Sequence, residues 1–194
     1  MAEALFAAPG CRAFEIGEGD LPALQRFFEE NPAYFEIVGG VGPAADAAAT
    51  EFTDRPPPGW PWDGKWMIRF EDDAGAWAGV ADVVRNLLAE GVWHVGLFIA
   101  ATRLHGSGSA RDMYAALEAW ARGGGARWMR LNVAEGNPRA GRFWERLGFT
   151  EVRRREGVEV GRLVNTMRVM VKPLAGGDLG EYLGRVPRDR PGAP

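Results

Sequence analysis

The spacing of apolar positions changes period several times along this chain, and each change marks an element. Residues 11–19 alternate apolar and polar and then reach a turn, which predicts a short strand. Leu21, Leu24, Phe27 and Phe28 then recur at helical spacing behind Asp20 as N-cap and Pro22 in the first turn, predicting a helix to about residue 30. A weaker helix is expected over 44–52. Residues 54–64 carry four prolines and cannot be regular, because each fixes φ and removes a donor. Three strand-like runs follow at 65–71, 77–85 and 92–100, joined by connections short enough for an antiparallel meander. After a polar loop at 101–108, Met113, Ala116, Leu117 and Trp120 trace a helical face that Gly123, Gly124 and Gly125 stop. A strand at 127–133 precedes a second helix with the stripe Ala140, Phe143, Trp144 and Leu147, ended by Gly148. Two closing strands, 149–155 and 162–171, lead to a Gly/Pro-rich tail over 173–194 that is expected to be poorly ordered. The pattern predicts an α+β fold, a mixed and mostly antiparallel twisted sheet flanked by helices, as one domain over 1–172.

Composition narrows the function classes. The chain has 194 residues, 46% apolar and 25% charged, enough for a domain that buries about 70% of its unfolded surface without staples. A lone Cys11 excludes an internal disulfide framework and a multi-cysteine metal site, so no metal is expected. No apolar run reaches the length of a membrane span, and the N-terminus lacks a secretory pattern, so a cytoplasmic protein without a membrane partner is expected. The net charge of −3 argues against a nucleic-acid partner. Only Lys65 and Lys172 among the 23 cations are lysines, which reads as coding bias rather than phosphate recognition.

Both histidines, His94 and His105, and both serines, Ser107 and Ser109, fall within sixteen consecutive residues at a strand–loop–helix junction. The loop around Gly106 and Gly108 lets backbone N–H groups converge, and the helix that opens near Ser109 adds its unpaired donors and about half a positive charge. A phosphate or pyrophosphate suits such a place. A flexible turn with a serine cap is the plain alternative. No Gly-Lys-Ser/Thr follows, and the third glycine of a dinucleotide fingerprint is missing.

The order of these parts resembles the GCN5-related N-acetyltransferase (GNAT) superfamily over about residues 11–172. Its phosphate loop, Arg/Gln-x-x-Gly-x-Gly/Ala, is matched by Arg103, Gly106 and Gly108, and its preceding strand by residues 93–99. Its later signature is matched by Asn137, Ala140, Phe143, Gly148 and Phe149. The resemblance implies acetyl-CoA as co-substrate, with Gly106, Ser107, Gly108 and Ser109 giving backbone donors to its pyrophosphate. It implies that Phe98, Ile99 and Ala100 pair with the pantetheine arm, that an amide near Phe98 polarises the thioester carbonyl, and that Asn137 bonds the arm. Asn137 also reads as the N-cap of the helix starting at Pro138. Arg103 is either a phosphate contact or a solvated loop charge. His105 stands where the family usually has Arg, and Trp144 where many members have a Tyr that protonates the departing thiolate.

The implied reaction is direct attack by a primary amine, of a small molecule or of a protein, on the acetyl thioester. An alkylamine of pKa about 10.4 must first lose a proton. His94 stands where several members carry a catalytic Glu and is the first candidate base. It lies on the same strand face as Phe98, about 13 Å away at roughly 3.3 Å per residue, so a water relay would be needed. Asp82, in an otherwise apolar strand, is the second candidate, its alternative being an edge-strand charge. Residues 34–66 are expected to shape the acceptor site. Trp60, Trp62 and Trp66 could wall a cleft or fill the core beneath the proline-rich loop. No acidic cluster in the sequence announces a polycationic acceptor. A homodimer is compatible with these features. Two other classes stay open, an acyl-CoA-binding regulatory module without turnover and a nucleotide-binding protein using the same loop.

Overall fold

The computed structural model describes residues 3–174 and 176–193. Antiparallel pairing of sequential strands makes up its first half. β1 (Phe6–Ala8), β2 (Cys11–Glu15), β3 (Gly64–Asp72), β4 (Trp77–Arg85) and β5 (Val92–Ala100) each pair antiparallel with the next. The Asp72 side chain closes the β3–β4 turn, accepting from the N–H groups of Ala74 and Ala76, and Gly75 supplies the left-handed residue with φ 82°. The next connection is a helix, α4 (Ser109–Gly123), so β6 (Trp128–Ala134) lies parallel to β5. After α5 (Pro138–Arg146), the hairpin of β7 (Thr150–Val160) and β8 (Leu163–Pro173) completes an eight-stranded sheet, in the order β1-β2-β3-β4-β5-β6-β8-β7.

One face of the sheet packs Ile68, Phe70, Trp93, Val95 and Leu131 against Met113, Tyr114 and Leu117 of α4 and Trp144 of α5. The other face buries Met67, Val80, Leu97 and Ile99 against Leu24, Phe27 and Phe28 of α1 (Leu21–Glu30) and Ala48 of α3 (Ala47–Thr53). A short α2 (Ala33–Gly39), absent from the periodicity, lies between them, and the weak helix expected over 44–52 falls at α3. Trp66 is half-buried and packs on the core, stacked on Trp93 at 5.5 Å and edge-on to Trp120.

The C-terminal stretch corrects an expectation. Residues 173–194 were expected to be poorly ordered, yet they carry α6 (Leu179–Arg185) and a 3₁₀ turn at Pro187–Asp189. Tyr182 and Val186 are buried with Trp128, Val169 and Val171. The anchor is ionic. Arg130 Nε meets Asp189 Oδ2 at 2.7 Å and Nη2 meets Oδ1 at 3.2 Å, each side chain 1% exposed, and the Tyr182 hydroxyl donates to the same carboxylate at 2.5 Å. Arg188 lies 3.8 Å over the Trp60 ring, tying the stretch to the proline-rich segment.

Candidate active site

β5 is a strand with two halves. Residues 92–95 pair with 128–131 of β6, and beyond Val95 the two strands share no ladder. Residues 97–100 therefore keep β4 on one edge and open a notch on the other. The halves are offset by a bulge. Asp82 pairs with Leu97 and Val83 with Val95, so Gly96 is an extra residue on β5. The extra residue exchanges the faces: Trp93 and Val95 lie on the α4 face before it, and Phe98 lies there after it. Leu97 and Ile99 turn to the α1 face.

The notch widens into a cleft of 630 Å³ lined by Phe98, Ile99 and Ala100 of β5, His105, Gly106 and Gly108 of the loop, and Asn137, Ala140, Phe143 and Trp144 of α5 and its cap. Gly106 and Gly108 hold φ of 85° and 92°, and a Cβ at Gly106 would meet only open space. Among the described residues, the N–H groups of Gly106, Gly108, Ala110 and Arg111 have no protein acceptor, and all four residues line the cleft. Ser107 and Ser109 turn inward instead. The Ser107 N–H donates to the Leu104 carbonyl at 3.2 Å, and the Ser109 N–H to Ser107 Oγ at 3.2 Å. Asn31, buried at the end of α1, fixes the start of the loop: its Oδ1 accepts from the Thr102 N–H at 2.6 Å and its Nδ2 donates to the Phe27 carbonyl at 2.7 Å. Asn137 caps α5, accepting from the Ala140 N–H at 3.1 Å.

The rim is basic. Arg111, Arg139 and Arg146 line the cleft with His105, and no carboxylate among the described residues lines it. Donors without acceptors, three guanidinium groups and a helix N-terminus make an anion site at one end of a slot with an aromatic floor. Among the described residues, no three His, Cys, Asp or Glu side chains are placed to hold a metal ion.

The model of the Acetyltransferase (GNAT) family matches residues 20–149, two thirds of the chain. The chain belongs to that family. It is an acetyl-CoA-dependent acyltransferase, and acetyl-CoA and an acceptor are what the family brings together. Among solved structures, an acetyltransferase from Thermus thermophilus is 22% identical with a TM-score of 0.65, covering 84% of this chain and 97% of its own. The spermidine N-acetyltransferase from Vibrio cholerae, solved with CoA and spermine, is 16% identical with a TM-score of 0.65, covering 85% and 96%. The ribosomal-protein-S18-alanine N-acetyltransferase from Escherichia coli is 16% identical with a TM-score of 0.60, covering 86% and 97%. At these identities the likeness is one of fold. No curated protein matches the chain in sequence.

In this acetyltransferase the expected site residues separate into two groups. Phe98, Ile99, Ala100, His105, Gly106, Gly108, Asn137 and Trp144 converge on the cleft. Arg103 does not. It bonds Asp72 Oδ2 at 2.8 Å and the Trp77 carbonyl, and it lines a separate hollow beside the β3–β4 turn. None of Trp60, Trp62 and Trp66 lines the cleft. The three arginines of the rim escaped the sequence reading because arginine is the chain's default cation, and only Arg139 and Arg146 flanking the α5 stripe could have marked them.

His94 lies outside the cleft, and the Gly96 bulge is the reason. Counting four residues along a regular strand places His94 and Phe98 on one face; the extra residue places them on opposite faces. Arg130 Nη1 donates to His94 Nδ1 at 3.2 Å, so the ring belongs to the Arg130–Asp189–Tyr182 group. Desolvation, with the Arg130 charge beside it, holds His94 down to about 3. A proton that the unfolded chain binds near pH 6.5 is therefore refused by the folded one, so stability falls as pH drops below 6.5. Replacing His94 with Gln is expected to remove about 1–2 kcal/mol of that loss at pH 5 and to change nothing at pH 8. Urea unfolding at both pH values checks it, and an unchanged pH dependence would mean that His94 protonates freely in the fold.

Proposed function

We propose that this acetyltransferase moves the acetyl group of acetyl-CoA to a primary amine, and the observation that carries the reading is the notch between β5 and β6 with the unpaired loop donors at its mouth. The residues fit the donor. The N–H groups of Gly106, Gly108, Ala110 and Arg111 would hold the pyrophosphate, with Arg111, Arg139 and Arg146 adding charge. The unladdered edge of residues 97–100 would take the amides of the pantetheine arm as a strand takes a neighbour. Acetyl-CoA supplies an acyl carbon activated by a thiol leaving group. A β5 N–H on the open edge would polarise its carbonyl, an oxyanion-type stabilisation. Trp144 and Phe143, ring centroids 4.9 Å apart, bound the reacting end and keep water away.

With His94 outside the cleft, Asp82 is the remaining candidate in this reading, as base or as the anion that holds the amine. It stands on the acceptor side of the bulge, its side chain 7% exposed and 3.4 Å from Lys65 Nζ. Burial pushes its carboxyl up to about 6 against the opposing pull of Lys65, into the range useful for taking a proton at neutral pH.

Acetyl-CoA at 100 times its dissociation constant is expected to stabilise the fold by about 2.7 kcal/mol. Gly106→Val is expected to abolish that gain, because the side chain would fill the open space over the loop, at a backbone cost of about 1–2 kcal/mol at positive φ. Arg139→Glu, which leaves φ untouched, is expected to weaken binding without that cost. Thermal melts with and without acetyl-CoA read both, and release of free thiol with a panel of amines reads transfer. A full shift in both variants would remove the phosphate assignment.

A further inference from the structure

Side chains that the sequence scatters over fifty residues meet beside the bulge, on the α1–α3 face. Lys65 and Asp82 are each 7% exposed and paired. Lys65 Nζ also donates to the carbonyls of Glu51 at 3.2 Å and Asp54 at 2.6 Å, which pins the end of α3 over the strands and brings the Glu51 carboxyl with it. That carboxyl is half-buried and makes no hydrogen bond or ion pair among the described residues, and Asp82 Oδ1 is buried without a partner. Tyr34 of α2 lies within electrostatic reach of both carboxyls and also lines the acetyl-CoA cleft, which links the group to the notch.

Gly96 gives them a door. It is exposed although it lies in a central strand, and a Cβ there would stand 2.9 Å from Asp82 Oδ2. The missing side chain is what leaves the Asp82 carboxylate room beside an open stretch of β5. Two carboxyls against one ammonium leave negative charge in a half-dry place, which suits a cation.

The geometry points to the opening at Gly96 as the entry for the acceptor, a protonated primary alkylamine, with Asp82 holding the ammonium and Glu51 accepting its proton. This rests on the transfer reading above and adds a residue and a substrate class to it. In the step, one N–H bond of the ammonium breaks, its electron pair stays on nitrogen, and the proton forms an O–H bond on Glu51. The nitrogen loses a second proton as the amide forms, matching the one the departing thiolate takes up, and Glu51 returns its proton to water. The charged and titratable groups that act on Glu51 are Asp82 from β4, Lys65 from β3 and Asp54 beyond α3, with Tyr34 of α2 coupled to it and Arg55 acting on Asp82. Burial first and the Asp82 charge second push Glu51 up to about 7. Its carboxylate is therefore basic enough to take a proton and still half ionised at neutral pH. An amine flanked by its own carboxylate, as in an α-amino acid, would meet repulsion here.

The test uses the full chain with a simple alkylamine, an aromatic amine that is neutral at pH 7, and an α-amino acid. Glu51→Gln is expected to lower kcat/KM for the alkylamine about 10²-fold at pH 7 and to erase the limb near pH 7, with KM for acetyl-CoA unchanged. The loss on the aromatic amine is expected to stay below about tenfold, because no proton needs removal before attack. Asp82→Asn is expected to act mainly on KM for the alkylamine. Carboxyl NMR of glutamate-labelled protein, which needs no turnover, is expected to show one side chain titrating near pH 7 that vanishes in Glu51→Gln and moves lower when alkylamine is added. A parent that turns over while Glu51→Gln keeps its rate and its pH limb overturns the role of Glu51 and leaves transfer standing. A parent that prefers the amino acid overturns the substrate class. A parent that transfers to no amine overturns the transfer reading, and this one with it.

Discussion

Replacing Asp189 with Ala is expected to cost about 3–5 kcal/mol, because it strands the Arg130 guanidinium inside the protein. Both side chains are 1% exposed, and the pair is bidentate. Burial alone would raise the Asp189 carboxyl, and the Arg130 bonds and charge, with the Tyr182 hydroxyl, outweigh it and hold the carboxyl below its usual range. The carboxylate thus contributes stability that is present at neutral pH and lost as pH falls through its folded value. The mutation also leaves the Tyr182 hydroxyl without its acceptor. Against a domain stability of order 5–15 kcal/mol, the expected loss is a large fraction. Denaturant unfolding at pH 7 measures it. The double variant Arg130→Met, Asp189→Leu is expected to recover most of the loss, since removing both charges removes the desolvation cost as well. A single variant that loses less than about 1 kcal/mol would mean that water reaches Arg130.

The second large effect is at Trp144. Its ring is 7% exposed and meets Tyr114 at 5.0 Å, Phe149 at 5.3 Å and Phe98 at 5.6 Å, all edge-on. Truncation to Ala opens a cavity in this aromatic group, and about 3–5 kcal/mol is the expected cost. Trp144→Tyr is expected to keep most of the contacts and to lose under about 1.5 kcal/mol. Trp144 also lines the cleft, so the Tyr variant places a phenol of ordinary pKa about 10 where a thiolate has to take up a proton. Its kcat on an accepted amine is expected to equal or exceed the parent's. A well-folded Tyr variant that loses most activity would show that the indole shapes the acceptor side and that the departing thiolate takes its proton from water.

Much of this architecture could be read from periodicity, because the elements that carry it have clean stripes. The meander at 64–100 and the helices with Met113 and Leu117, or Phe143 and Trp144, bury the residues their spacing selects. The glycine loop was visible as chemistry for the same reason: positive φ and a helix start need particular residues. Three features were not visible. The C-terminal helix was outvoted by its Gly and Pro neighbours, although Leu179, Tyr182, Leu183 and Val186 form a short stripe around a carboxylate partner 59 residues away from Arg130. The bulge has no local signal beyond one glycine, and missing it misplaced His94. The Glu51–Lys65–Asp82 group exists only because α3 folds over β3 and β4, a tertiary fact that no local pattern encodes.

The extra residue in β5 has a consequence for how such a catalyst arises and is lost. Side-chain periodicity in a strand is two, so the parity of everything downstream depends on whether Gly96 is counted. Deleting that one codon would restore an even ladder with β4. The pairs Asp82–Leu97, Ala81–Phe98 and Val80–Ile99 would keep their faces, and what would vanish is the residue that leaves the gap beside the Asp82 carboxylate. No point substitution does the same, since a side chain alters what a position presents but not how many residues the ladder has to accommodate. The smallest genetic event that creates or erases the bulge is therefore a three-base insertion or deletion. Drift by substitution alone leaves the alternation intact, so the geometry can outlast wide divergence in the residues that decorate it.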